Sequence, residues 1–181
     1  MSFEEKTISS KSIYEGKVVH LSLDTVLLPD GSTSFREVVH HRGGAAVLYV
    51  RDGKILLVRQ FRYAYHKEIY EIVAGKIDPG EDPIVSATRE LEEETGYRTT
   101  LTHLLDIYPT PGYTDEVIYI YLAEGGEQVS QKLDKGEFLS YAFYPIEDVL
   151  SMIRSGQITD SKTICAVYTY LRMKGNKAAG L

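Results

Sequence analysis

The segment from Gly75 to Tyr97, GKIDPGEDPIVSATRELEEETGY, constrains this chain more than any other. A Gly-Lys-Ile-Asp-Pro-Gly loop runs into a helix whose two ends are both marked. Asp82 is a good N-cap, because its side-chain oxygen can satisfy a free backbone N–H, and Pro83 suits the first helical position because it has no N–H to lose. Gly96 is placed to stop the helix in the left-handed region. At about 100° per residue, Ile84, Ala87, Thr88, Leu91 and Thr95 form one stripe that predicts a core-facing side. Glu90, Glu93 and Glu94 fall on another side, at i, i+3 and i+4, where their carboxylates can converge. Like charges at these spacings cost a helix roughly 0.2–0.5 kcal/mol per pair. Arg89 offsets part of that from one side. A hard divalent cation offsets more, since Mg²⁺ takes carboxylate oxygens while keeping waters and substrate phosphate oxygens. A solvated acidic face is the alternative that the helix alone leaves open.

The whole stretch matches the Nudix hydrolase signature, G-x5-E-x7-R-E-U-x-E-E-x-G-U with U a bulky apolar residue. The matching positions are Gly75, Glu81, Arg89, Glu90, Leu91, Glu93, Glu94, Gly96 and Tyr97. The chain therefore resembles that family. The resemblance implies an α/β fold, an α/β/α sandwich with a mixed sheet, in which a loop–helix–loop holds Mg²⁺ or Mn²⁺ against a pyrophosphate. It implies metal ligands at Glu90, at Glu94 and at the backbone carbonyl of Ala74, the residue before the signature glycine. It implies Glu93 as a further ligand, or as the catalytic base if the later acidic loop is only structural, and Glu81 as a ligand through water in the minor alternative. Glu81 and Arg89 are expected to form an internal ion pair that orients loop and helix.

Further segments narrow the resemblance. Arg36-Glu37-Val38-Val39, Val58-Arg59-Gln60-Phe61-Arg62, Val73-Ala74-Gly75-Lys76 and Thr110-Pro111-Gly112-Tyr113-Thr114-Asp115-Glu116 look like the ADP-ribose pyrophosphatase and nucleoside diphosphate sugar hydrolase branch. Pro111, fifteen residues past Gly96, is near a proline typical of that branch. This implies hydrolysis of ADP-ribose and related small-molecule nucleotide sugars to a nucleoside monophosphate and a sugar phosphate. Arg62 would grip the pyrophosphate with its forked donors. Arg36 and Glu116 would contact substrate, one or both from the partner subunit. The acidic loop of the branch reads here Leu133-Asp134-Lys135-Gly136-Glu137-Phe138. Lys135 stands where relatives carry a glutamate. Glu137 keeps its position and is the expected base or additional ligand, with Asp134 in reserve. A dinucleotide (NADH-type) pyrophosphatase and a non-catalytic nucleotide-sugar sensor are the rival readings. The complete set Glu90, Glu93 and Glu94 weighs against the sensor.

The rest of the chain bounds these expectations. With 181 residues it can bury a sizeable core, and a net charge of −6 argues against nucleic-acid binding, which needs basic surface. Cys165 is the single cysteine, so no intramolecular disulfide can form, and its neighbours Ile164, Ala166 and Val167 suggest a buried thiol. No apolar run has membrane-spanning length and the N-terminus lacks a signal-peptide core, so no membrane partner and a cytoplasmic location are expected.

Residues 1–12 read as polar and loosely held. Residues 14–28 and 35–41 read as strands around the turn Pro29-Asp30-Gly31, an N-terminal β arm over 1–42 expected to pair a homodimer. A hydrolase domain is expected over 43–181. Ala45–Val50 suits a strand buried on both faces. Lys54–Arg59, Ile69–Val73, Leu101–Tyr108, Val117–Ala123 and Leu139–Phe143 read as further strands. Pro109-Thr110-Pro111-Gly112 reads as a rigid irregular loop. Ile146, Val149, Leu150 and Ile153 mark an amphipathic helix, and Asp160 or Ser161 caps a last one reaching about Met173.

Overall fold

The computed structural model describes residues 2–133, 136 and 138–178. The chain forms two units, one running to Gly43 together with Tyr108–Val117, the other comprising Gly44–Ile107 and Ile118 onward.

The smaller unit is a three-stranded antiparallel sheet, β1 (Lys6–Glu15), β2 (His20–Leu27) and β3 (Thr33–His40), in the order β1-β2-β3. The stretch expected to be loose is thus mostly strand. Every residue of β1 is exposed, so it carries no apolar alternation to read, and its ladder to β2 holds it. The two-proline loop belongs to this unit. The Val39 N–H donates to the Tyr113 carbonyl at 2.7 Å, and the Asp115 N–H donates to the Val39 carbonyl at 3.2 Å.

The larger unit begins with β4 (Gly44–Arg51) and β5 (Lys54–Arg62), then a 3-10 turn at Tyr63–Tyr65, β6 (Lys67–Glu71) and β7 (Val73–Lys76). The signature helix is α1 (Pro83–Thr95). After it come β8 (Tyr97–Arg98), β9 (Leu101–Ile107), β10 (Ile118–Glu124), β11 (Glu127–Gln128), β12 (Leu139–Pro145), α2 (Ile146–Arg154) and α3 (Ser161–Ala178). The main sheet has the order β12-β5-β4-β10-β9, with β6 added to β5 and β7 to β4, while β8 and β11 pair separately. Only β4 and β10 run parallel among these pairs, so the sheet is mixed.

The unbroken apolar run of β4 follows from its central place. Successive side chains point to opposite faces. Ala45, Val47 and Tyr49 enter a core with Ala87 and Leu91 of α1. Ala46, Leu48 and Val50 enter a second core with Val149 and Met152 of α2 and Ala166, Val167 and Tyr170 of α3. The result is an α/β/α sandwich. Tyr97, the bulky residue ending the signature, fills the α1-side core, its ring 5.1 Å from that of Tyr49 and 5.8 Å from that of Phe143. Cys165 is half-buried rather than fully enclosed. Among the described residues no helix is long and apolar enough to cross a membrane.

Candidate active site

Helix α1 starts and stops as its end residues dictate. The Ile84 N–H donates to Asp82 Oδ1 at 3.0 Å, and Gly96 takes φ 69° with its N–H on the Glu92 carbonyl at 2.8 Å. Its buried side consists of Ser86, Ala87, Glu90, Leu91, Glu94 and Thr95. That face is rotated from the expected stripe. Ile84 is 39% exposed, whereas Glu90 and Glu94 are 8% and 3% exposed. Two of the three acids therefore share the core-facing side with Leu91.

The approach of α1 to β7 explains how a carboxylate fits there. A β-carbon on residue 75 would lie 1.9 Å from the Glu90 carboxyl carbon, so only a glycine leaves Glu90 its place against the backbone. Ala74, half-buried in β7, pairs with Ala46 of β4 directly before this glycine.

Arg89 gathers the remaining charge. Its Nε and Nη2 donate to Glu81 at 3.2 and 3.1 Å, and its Nη1 donates to Glu90 at 2.8 Å and Glu93 at 3.0 Å. The hydrogen bonds from Arg89 hold the Glu81 carboxyl below the usual range, and those to Glu81 raise the guanidinium further. The Asp78 N–H also donates to Glu81 at 3.3 Å, which fastens the signature loop to the helix.

Among the described residues no group of three acidic, histidine or cysteine side chains is arranged to hold an ion. Glu90 and Glu93 meet on the Arg89 guanidinium instead. The donor chemistry nevertheless fits a hard divalent cation. Glu90 and Glu94 are buried carboxylates one turn apart, Glu90 against the bare backbone of Gly75, and buried acids need cationic compensation.

Arg62, at the end of β5, donates through Nε to Glu71 Oε1 at 2.6 Å and through Nη2 to Glu71 Oε2 at 2.8 Å, leaving Nη1 outside the pair. Its pKa is raised, first by the bonds to Glu71 and then by the nearby charges of Asp160 and Glu94. Glu71 also accepts from Lys162, whose Nζ donates to Asp160 at 2.9 Å. Neither motif spacing nor apolar periodicity singles out Glu71 or Lys162. The available signal was the lone acid inside Ile69–Val73, since a charge within a buried strand implies a buried partner.

Residues 39–166 match the family described as NUDIX domain. The chain belongs to the Nudix family. Residues 5–39 match the nucleoside diphosphate sugar hydrolase N-terminal domain. Over 177 residues this Nudix chain is 44% identical to the ADP-ribose pyrophosphatase of Bacillus subtilis (strain 168), covering 96% of this chain and 95% of the relative. Over 176 residues it is 43% identical to the methanol dehydrogenase activator of Bacillus methanolicus, covering 95% of each. A solved ADP compounds hydrolase structure aligns with a TM-score of 0.85 over 99% of this chain and 98% of that one, at 19% identity, a likeness of fold.

Of the residues singled out in the Nudix sequence, Ala74, Glu90, Glu93, Glu94 and Arg62 all lie in the larger unit. Arg36 is on β3 of the smaller unit, its fork on Glu5 with Nε–Oε2 2.8 Å and Nη2–Oε1 2.6 Å. Glu116 also belongs to the smaller unit, 3.4 Å from His41 Nδ1. Glu137 lies outside the described residues, as do Asp134 and Lys135.

Proposed function

We propose that this chain hydrolyses the pyrophosphate bond of ADP-ribose and related nucleoside diphosphate sugars, releasing a nucleoside monophosphate and a sugar phosphate, with Mg²⁺ or Mn²⁺ as cofactor. The observation that carries this is the burial of Glu90 and Glu94 on one face of α1, with the Glu90 carboxylate set against the Gly75 backbone. A diphosphate approaches two carboxylates only if cations intervene, because unscreened like charges repel strongly in a partly buried site. The pyrophosphatase name of the Bacillus subtilis relative, shared over nearly the whole chain, supports the substrate class.

A bound divalent cation supplies charge stabilisation on the phosphoryl oxygens and a lowered pKa for water. Glu90, Glu94 and the Ala74 carbonyl are the residues that would hold it. Arg62 grips the diphosphate and offsets the charge that builds there. A water oxygen bonds to phosphorus, the bond from that phosphorus to the bridging oxygen breaks, and the proton of the water passes to a carboxylate. The sequence offers Glu137 as the acceptor, with Asp134 and Glu93 in reserve. Arg36 and Glu116 contact substrate, one or both from the partner subunit of a cytoplasmic homodimer.

The test is a panel of ADP-ribose, GDP-mannose, other nucleotide sugars, NADH and dinucleoside polyphosphates, assayed with and without Mg²⁺. Cation-dependent release of sugar phosphate is expected. Tight binding without turnover would instead mark a sensor, and cleavage confined to dinucleotides would favour that rival.

A further inference from the structure

Glu71 and Lys162 form a buried ion pair that the proposed reaction does not itself use. They stand 91 positions apart in the chain and are 1% and 7% exposed. The pair is part of a connected latch. Asp160 Oδ2 accepts from the Thr163 N–H at 3.0 Å and from Thr163 Oγ1 at 2.6 Å, while its Oδ1 accepts from Lys162. Thr163 Oγ1 in turn accepts from the Ile72 N–H at 2.9 Å. The first turn of α3 is therefore fastened to Glu71 and Ile72, immediately before the strand that carries Ala74.

The other end of the latch is Arg62. Both oxygens of Glu71 receive its fork, and one of them also receives Lys162. An arginine stem is flexible, and its planar head recognises a phosphate bidentately only when held in orientation. The Arg62 side chain is 39% exposed, so packing alone does not hold it. Its orientation comes from a carboxylate that cannot turn, because Lys162 grips it from the helix side. We infer that Lys162 is a positioning residue: through Glu71 it aims the Arg62 guanidinium at the diphosphate. This rests on the role given to Arg62 in the proposed function.

Inorganic pyrophosphate with Mg²⁺, titrated into the full chain by calorimetry, reads the effect without turnover. Lys162→Met is expected to weaken binding at least about 5-fold, and Lys162→Arg, which returns a cation to Glu71, to stay within about twofold of wild type. In an Arg62→Ala background, Lys162→Met is expected to add less than about twofold, because groups acting through one network are not additive. Should Lys162→Met fail to fold, the Glu71→Gln/Lys162→Met variant removes both charges of the pair and takes its place in the same cycle. Glutamine offers one acceptor oxygen where the carboxylate offers two and puts an NH2 donor in place of the other, so the fork is no longer matched and the same loss is expected. Wild-type affinity in the variants, losses that multiply independently of Arg62, or a wild-type chain that binds no pyrophosphate would each overturn the inference. Failure to cleave any nucleotide sugar would sink the proposed function separately, since the pyrophosphate cycle needs no catalysis.

Discussion

Gly75 and Glu90 share one space: a β-carbon on residue 75 would stand 1.9 Å from the Glu90 carboxyl carbon. No side chain at residue 75 can coexist with Glu90 in its present position. Gly75→Ala is therefore expected to push the carboxylate from its place, and a displacement of about 1 Å at a reacting centre can cost about 10²-fold in rate. Steady-state kinetics with ADP-ribose would measure the loss, and circular dichroism would show that the fold is kept. Wild-type kcat/KM in this variant would contradict the assigned importance of the contact.

Arg89 bridges three acids at once, Glu81, Glu90 and Glu93. Arg89→Ala removes the cation and leaves the acids facing one another. A loss of about 1–3 kcal/mol is expected, below the figure for a fully buried pair because Arg89 is 30% exposed. Mg²⁺ should restore part of it, since a ligand that binds only the folded state raises its stability. Melting curves with and without Mg²⁺ would check this. A variant whose melting temperature responds to Mg²⁺ no more than wild type would count against the site.

Much of this arrangement was legible in the sequence, and the missing parts have physical reasons. Asp82, Pro83 and Gly96 act locally, so the ends of α1 could be read from residue types alone. The apolar run of β4 announced a strand covered on both faces. The buried side of α1 was misjudged because apolarity pointed to Ile84, whereas the room left by Gly75 draws Glu90 inward. Lys6–Glu15 is a strand that backbone pairing sustains without an apolar face, so periodicity could not show it. The last helix runs on to Ala178, past the expected end near Met173, because no proline or capping signal stops it there. The pairing of Glu71 with Lys162 joins distant segments, and only the folded chain brings them together.

The same ion pair governs a pH response. Burial pushes the Glu71 carboxyl up, but the hydrogen bonds from Arg62 and the charge of Lys162 outweigh it and hold the group below its ordinary value of 4.5. A carboxyl depressed in the folded state stabilises fully above its unfolded value, and that stability is lost as pH falls through the folded one. The melting temperature should therefore lose the Glu71 contribution progressively once pH drops below about 4.5. Other paired acids titrate nearby, so the difference between wild type and Glu71→Gln isolates this group. The variant should show the shallower acid decline. Parallel curves would contradict the assignment.

Self-association is expected through the smaller unit. The strand Lys6–Glu15 is exposed along its length, with Ile8 57% and Ile13 49% exposed, which is a surface that a second strand or sheet can cover. Light scattering at micromolar concentration should give a mass near twice 20.4 kDa. A monomeric mass would remove the partner subunit from the account of Arg36 and Glu116.

The most direct measurement is anomalous scattering from crystals soaked with Mn²⁺ and ADP-ribose. The account predicts manganese held by Glu90, Glu94 and the Ala74 carbonyl, with the Arg62 guanidinium on the diphosphate. Manganese bound elsewhere on the chain, or a diphosphate lying away from Arg62 and the α1 acids, would contradict it.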